Sequence, residues 1–479
     1  MKQLMQASRI GVLGVLLLAA TACAVNPVSG KKELMLFSEQ QEIAMGEATD
    51  KQLRQQFGIY PDKALGEYVE RVGQSMAPYT HRPQLKYHFA ILDTPVVNAF
   101  AAPGGYIYVT RGILALMNSE AELAVVLGHE LGHVNARHSV RRLSGQMLAQ
   151  FGLLLGSVLS KDIRKFAGLA SIGMQLLFLK YSRSDEYQAD SLGVRYARHA
   201  KYSPGEMLRF FHALENMTQD SGGHKIPNFL STHPLTGDRI AKVKAMVGSQ
   251  DVRLAVRREP YLHRIDGMVF GENPRQGFAE NSVFYHPDMA FKFTLPFGWV
   301  VSNTPRQVQV GEKDGKAALL LQAEKSSLDL DAYLQARAKE LGQAELLKQG
   351  SEPVGRYASR HAYFRMPQEQ GEPLALRMTC IRKDDLVYTF LALSTYGTAS
   401  QYQPAMESAI LSFGDLSDPR YLKRRPRRLS LATPDGRQTL QALMSKAGVD
   451  RTLWKQLAVY NTLNLDAVPE AGQLLKMAR

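Results

Sequence analysis

Residues 126–138 read VLGHELGHVNARH and hold three histidines, His129, His133 and His138, and one glutamate, Glu130. On an α-helix His129 and His133 stand one turn apart on one face, where two ring nitrogens can converge on a single ion. Glu130, beside the first of them, can reach a water at that ion without being a ligand. Ser119 and Glu122 form a capping-box signature upstream, so a helix is predicted to start near 120 and to run through the motif. Imidazoles suit zinc, and a catalytic zinc site keeps three protein ligands and one open position. Such a site acidifies a water, whose proton Glu130 is placed to take, and polarises a peptide carbonyl for attack. The pattern predicts one Zn2+ per chain, a protein or peptide substrate, and a mainly α-helical zincin-type domain with a small β-sheet.

The third ligand must come from elsewhere. His138 lies nine residues from His129, about 900° of helix rotation, and so on the opposite face. The metzincin spacing needs a histidine at 139, where the chain has Ser139, and a glycine where it has Ala136. His138 is therefore read as structural. In SRSDEYQAD, residues 182–190, Glu186 and Asp190 again stand four apart on one helical face. One can ligate while the other accepts the N–H of a ligating histidine. The small Ala189 and Gly193 beside them predict close helix packing.

Together, His129-Glu130-Leu131-Gly132-His133 and Glu186-Tyr187-Gln188-Ala189-Asp190 resemble the gluzincin metallopeptidase family of HtpX, the CAAX prenyl endopeptidases and BepA. The resemblance runs from about 35 to 250 and includes NAFAAPGGYIYVTRGIL (98–114) and STHPLTGDRI (231–240). It implies Glu186 as the third ligand and Asp190 as the residue that orients a ligand. It also implies that Tyr106, Ile107, Tyr108, Val109 and Thr110 form the edge strand that pairs with an extended substrate. His233 corresponds to a histidine near the metal with two opposed roles, stabilising the oxyanion or filling the open metal position at rest. Arg239 either orients that loop, binds a carboxylate or makes a structural salt bridge. HtpX and the prenyl proteases carry membrane helices and BepA carries helical repeats after the protease; this chain shows neither pattern, so prenylated substrates and repeat-bound partners do not transfer. The implied activity is hydrolysis of exported or misfolded envelope proteins. The rival is a non-proteolytic cell-wall or assembly factor with a closed or structural zinc site.

The remaining sequence bounds where such a protein would act. At 479 residues, 45% hydrophobic and 22% charged, the chain is long enough for two or three globular domains. Residues 1–22 read as a signal peptide, a basic start followed by an apolar run too short to span a bilayer. Ala20-Thr21-Ala22-Cys23 resembles a bacterial lipoprotein signal, which implies an acylated Cys23, and Ala24 after it implies the outer membrane, facing the periplasm. Cys23 and Cys380 are the only cysteines, which excludes a disulfide framework. The net charge of +13, reduced to +11 once Lys2 and Arg9 leave with the signal, favours lipid headgroups or cell wall as partners and not nucleic acid.

Domain expectations follow from pattern shifts: a metallopeptidase domain over 23–250, an α+β module with an antiparallel sheet over 263–415, and a small strand–helix–helix–strand unit over 426–479. MAFKFTLPFGWVVSN (289–303) and the helix after it resemble PsbP/Mog1-like domains, and the tail resembles a LysM module, which implies peptidoglycan as a partner. Two apolar runs, 147–159 and 166–179, fall short of a membrane span and read as buried or interfacial helices.

Overall fold

The motif helix, Glu120–Asn135, is buried along its whole length, so the fold is organised around it rather than beside it. The computed structural model describes residues 23–154, 180–220, 228–368 and 371–479. Residues 1–22 and the apolar run 166–179 lie outside these, as does part of the run 147–159. The chain divides into two compact units, Met1–Gly271 with Arg427–Arg479, and Glu272–Pro426. The C-terminal segment thus clusters with the first unit instead of standing apart.

In the first unit α1 (Glu39–Phe57) and α2 (Lys63–Gln74) precede three strands, β1 (His88–Leu92), β2 (Ala99–Ala102) and β3 (Tyr106–Thr110). The motif helix is α3, followed by α4 (His138–Leu154), α5 (Arg183–His199), α6 (Glu206–Asp220), α7 (Asn228–Thr232) and α8 (Gly237–Met246). The turn Pro103–Gly105 joins β2 to β3 with Gly104 at φ 75° and Gly105 at φ 95°. A Cβ at Gly104 would sit 2.6 Å from Ile43 Cα and one at Gly105 2.4 Å from Lys86 O, so only glycine serves here.

The sheet order is β1-β3-β2, parallel between β1 and β3 and antiparallel between β2 and β3. This corrects the expectation for Tyr106–Thr110: those residues form the central strand, hydrogen-bonded on both sides. The edges are β1 and β2. The hairpin turn sets β2 against one side of β3, and His88–Leu92 takes the other side by pairing from an earlier part of the chain.

Ser119 caps α3, its Oγ accepting from Glu122 N at 3.1 Å. The Glu122 carboxylate takes the Asn118 N–H at 2.9 Å, so the reciprocal half of the predicted box is absent. At the far end α3 stops at Asn135, and Arg137 adopts φ 53°, which turns the chain sharply before α4. Glu42, on α1, secures that corner by accepting from Arg137 Nε at 2.8 Å and from Arg82 at 2.9 Å.

The C-terminal segment pairs Leu429–Ala432 with Leu475–Ala478 around helices Leu440–Lys446 and Trp454–Tyr460. Lys476, fully buried, donates to the carbonyls of Ala115, Leu116 and Met117 at 2.9, 3.0 and 2.9 Å, just ahead of the α3 cap. The Lys476 Nζ thus serves three carbonyls left over at the end of the short helix Arg111–Leu116.

The second unit carries a seven-stranded antiparallel sheet, with Ala317–Lys325 and Leu386–Thr395 near its middle, and a four-stranded one that includes Val283–His286 and Phe291–Thr294. Helices Leu330–Lys339 and Ala399–Leu411 complete it. Cys380 is a free, fully buried thiol on the strand Leu374–Lys383. The molecule is therefore multidomain, with helices and several antiparallel sheets, and no helix among the described residues is long and apolar enough to cross a membrane.

Candidate metal centre

Two helices meet almost backbone to backbone at the site. A Cβ on Gly193 of α5 would lie 2.9 Å from His129 N of α3, and one on Gly132 would lie 3.0 Å from Ala189 Cα. Side chains larger than Gly and Ala at these positions would push the helices apart. Because they do not, Glu186 and Asp190 on α5 reach the histidines of α3 directly. The loop after α7 brings in His233 from the other side.

Four side-chain atoms converge. His129 Nε2 lies 3.0 Å from His133 Nε2 and 3.2 Å from His233 Nδ1. Glu186 Oε1 lies 3.0 Å from His233 Nδ1 and 3.5 Å from His133 Nε2. One ligand atom from each of the four residues falls within 4.8 Å of the others, and all four residues are buried. Ligands about 2.0–2.1 Å from a tetrahedral zinc lie about 3.3 Å from one another, so the spacing fits such an ion. The donor set fits too, since three imidazoles and a carboxylate facing each other without solvent have too few protons to satisfy one another. Glu130 is fully buried with neither carboxylate oxygen hydrogen-bonded, and its Oε1 lies 3.7 Å from His233 Nε2, which also lacks a partner.

Around this group Asp190 accepts from His129 Nδ1 at 2.9 Å and from Arg239 Nε and Nη2, each at 2.7 Å. Arg239 Nη1 also lies 2.7 Å from Glu186 Oε2 and donates to Pro234 O at 3.1 Å. One guanidinium therefore joins α8, the His233 loop and both carboxylates of α5. The salt bridge considered for Arg239 is therefore present, together with a contact to the His233 loop.

The charges follow from these contacts. Burial raises the Glu130 carboxyl above its ordinary range, against the pull of His233 and His129. Burial works the same way on Glu186 and Asp190, but His233 and Arg239 outweigh it at Glu186, and the Arg239 bonds outweigh it at Asp190, so both stay below the ordinary range. Burial depresses His133 strongly, while at His233 Glu186 and Glu130 overcome burial and raise it.

His138 is absent from the converging group, as expected, but it does not stand on the opposite face. Because Arg137 breaks the helix, the rotation argument does not apply past Asn135, and His138 turns back so that its Nδ1 lies 2.9 Å from His133 Nδ1. It stays outside the converging group, touching the outer nitrogen of a member. Tyr181, stacked on His133 with ring centroids 3.9 Å apart, and Phe229, stacked on His233 at 4.7 Å, had no sequence signal. Beyond α7 lies a cavity of about 180 Å³ lined by Phe57, Leu92, Asn98, Phe100, Ser231 and Thr232 among others. The central-strand residue Thr110 also lines it.

A buried HExxH helix joined to a carboxylate helix is the arrangement expected of a gluzincin-type metal centre. Residues 63–247, within the first unit, match the model of Peptidase family M48. The chain is similar to a beta-barrel assembly-enhancing protease of Yersinia pestis, 28% identical over 60% of this chain and 57% of that one. A putative protease of the same name from Vibrio cholerae is 31% identical over 42% of this chain and 43% of its own length. The chain thus spans about half the length of these relatives. Among solved structures, cyanobacterial PsbP from Synechocystis aligns with 29% of this chain and 94% of its own at 13% identity and a TM-score of 0.25, a likeness on which nothing further rests.

Proposed function

We propose that this protein is a zinc-dependent metalloendopeptidase of the bacterial cell envelope, acting on exported or misfolded periplasmic and outer-membrane proteins. The observation that carries the reading is the convergence of His129, His133, Glu186 and His233 beside a Glu130 carboxylate that accepts no hydrogen bond. The metal would be held by His129, His133 and Glu186, and would supply Lewis acidity toward a peptide carbonyl. Glu130, raised by burial, accepts a proton from water and passes it to the leaving amine. Asp190 holds the His129 Nδ1 proton, and Arg239 holds Asp190. An extended substrate pairs with β2, the edge strand of the hairpin, rather than with Tyr106–Thr110.

His233 occupies the fourth corner at rest in this reading. Its Nδ1 lies among the ligand atoms and its ring stacks on Phe229, so substrate access requires the loop after α7 to move. The same observation favours a second reading, an assembly factor whose site stays closed. Digestion of a denatured periplasmic protein by the zinc-loaded full chain separates them. The peptidase reading expects turnover, loss of at least about 1,000-fold with Glu130→Gln, and retained zinc in that variant. Unchanged cleavage by Glu130→Gln would overturn the mechanism, and no cleavage even by His233→Ala would favour the closed assembly factor.

Acylated Cys23 would anchor the chain to the outer membrane on its periplasmic side. The strand–helix–helix–strand unit is proposed, by its LysM resemblance, to contact peptidoglycan, and the 263–415 module to be a PsbP/Mog1-like binding domain.

A further inference from the structure

Each of the two motif histidines faces the converging group through Nε2, so each must keep its proton on Nδ1 if Nε2 is to offer a lone pair. For His129 a carboxylate does this, Asp190 at 2.9 Å. For His133 the partner is another imidazole. His138 Nδ1 lies 2.9 Å from His133 Nδ1, and His138 Nε2 lies 2.9 Å from Gln188 Oε1, on α5 two residues after Glu186.

Only one proton fits between two facing Nδ1 atoms, and the far end of the chain decides whose it is. Gln188 Oε1 can only accept, so His138 carries its proton on Nε2 and presents a bare Nδ1. His133 must then donate from Nδ1, which leaves its Nε2 bare toward the group. The opposite arrangement would set the bare His138 Nε2 against the Gln188 carbonyl. It would also place a His133 Nε2 proton against His129 Nε2, 3.0 Å away.

The backbone is bent to make this contact. Arg137 sits at φ 53°, costly for a residue with a side chain, and is held there by Glu42 and by the Phe37 carbonyl. Without that corner α3 would run on and His138 would leave the His133 side. His138 and His133 are both fully buried, and both pack on Tyr181.

We propose that His138 is a positioning residue that, backed by Gln188, fixes the tautomer and ring orientation of His133 so that Nε2 is presented to the metal. The proposal rests on the zinc-site reading above, but its readout is metal affinity rather than proteolysis.

The test measures the Zn2+ dissociation constant of the full chain by chelator competition, together with thermal unfolding of the metal-free protein. His138→Phe keeps a ring against Tyr181 but removes the acceptor, and should weaken zinc binding about 10–100-fold. His138→Asn, whose Oδ1 can stand where Nδ1 was, should recover to within about 3-fold of the starting affinity. Gln188→Met should weaken binding in the same direction, and Gln188→Glu, still an acceptor, should not. Unchanged affinity in His138→Phe overturns the proposal. So does an Asn variant as weak as the Phe one, which would mean that ring packing alone matters. Should His138→Phe fail to fold, the half-buried Gln188 decides: equal affinity of its Met and Glu variants overturns the assignment. An unsubstituted chain that binds no zinc would bring down the peptidase reading as well, whereas zinc binding indifferent to these substitutions defeats only this inference.

Discussion

Replacing Arg239 with methionine removes a cation that serves two buried carboxylates at once. The guanidinium bonds both oxygens of Asp190 at 2.7 Å and lies 2.7 Å from Glu186 Oε2, with Arg239 2% exposed and each carboxylate residue 1%. Methionine fills much of the same volume, so the effect is electrostatic more than a cavity. Breaking a buried ion pair from one side costs about 3–5 kcal/mol, because the remaining charges lose their partner in a medium that solvates them poorly. The sign of the pH dependence follows from the shifts. With Arg239 present, both carboxyls are held below their ordinary values of 4.5 and 3.8. Their contribution to stability is complete above those values and is lost as pH falls through the lower folded ones. Without Arg239 burial weighs more heavily, although His233 still acts on Glu186 and His129 on Asp190, so the folded values rise relative to the parent and the variant gains on it as pH falls. The penalty should therefore be greatest near about pH 8 and shrink toward about pH 4.5. Urea unfolding of the metal-free full chain, followed by circular dichroism, measures it. A penalty under about 1 kcal/mol at the higher pH, or one that does not change with pH, refutes the argument. Adding Asp190→Asn should return part of the loss, since the charge left unpaired is then gone.

Gly193→Ala should cost about 1–3 kcal/mol and weaken zinc binding, because its Cβ would stand 2.9 Å from His129 N and force α3 from α5; thermal unfolding with and without zinc reads both effects. Lys476→Met should lower the unfolding free energy of the first unit by about 3–5 kcal/mol, leaving three buried carbonyls without a donor although the residue lies far from the site in sequence. In the second unit, burial pushes His286 down from 6.5 to about 4. The unfolded chain therefore binds the proton first, and this unit should lose about 3 kcal/mol of stability as pH falls from the higher value to the lower. Trp299 fluorescence in a Trp454→Phe background follows that unit alone, and His286→Gln should flatten the dependence.

What could be read without a structure was whatever depends on local periodicity. The HELGH pairing, the Glu186–Asp190 face, the capped start of α3 and the small residues of α5 each need only the helical repeat, which operates within a few residues. The argument over His138 failed for the same reason. It assumed that the repeat continued, and nothing in Asn135-Ala136-Arg137 announces a left-handed residue at Arg137, since Glu42 and Phe37, about a hundred positions earlier, hold it there. The edge-strand assignment failed likewise. Alternation marks Tyr106–Thr110 as a strand, but only pairing from His88–Leu92 makes it a central one.

The sequence by itself marked the candidate residues, because residue type and spacing within HELGH and the Glu186–Asp190 face are properties of short segments. The tertiary structure alone decided their company: Arg239 on two carboxylates, His233 among the ligand atoms, His138 behind His133, and Lys476 beneath the start of the motif helix. Most of those contacts join positions tens to hundreds of residues apart, and the five-residue step from His133 to His138 depends on a corner held from about a hundred positions away; they exist only where burial makes an unpaired charge or lone pair too costly to leave alone.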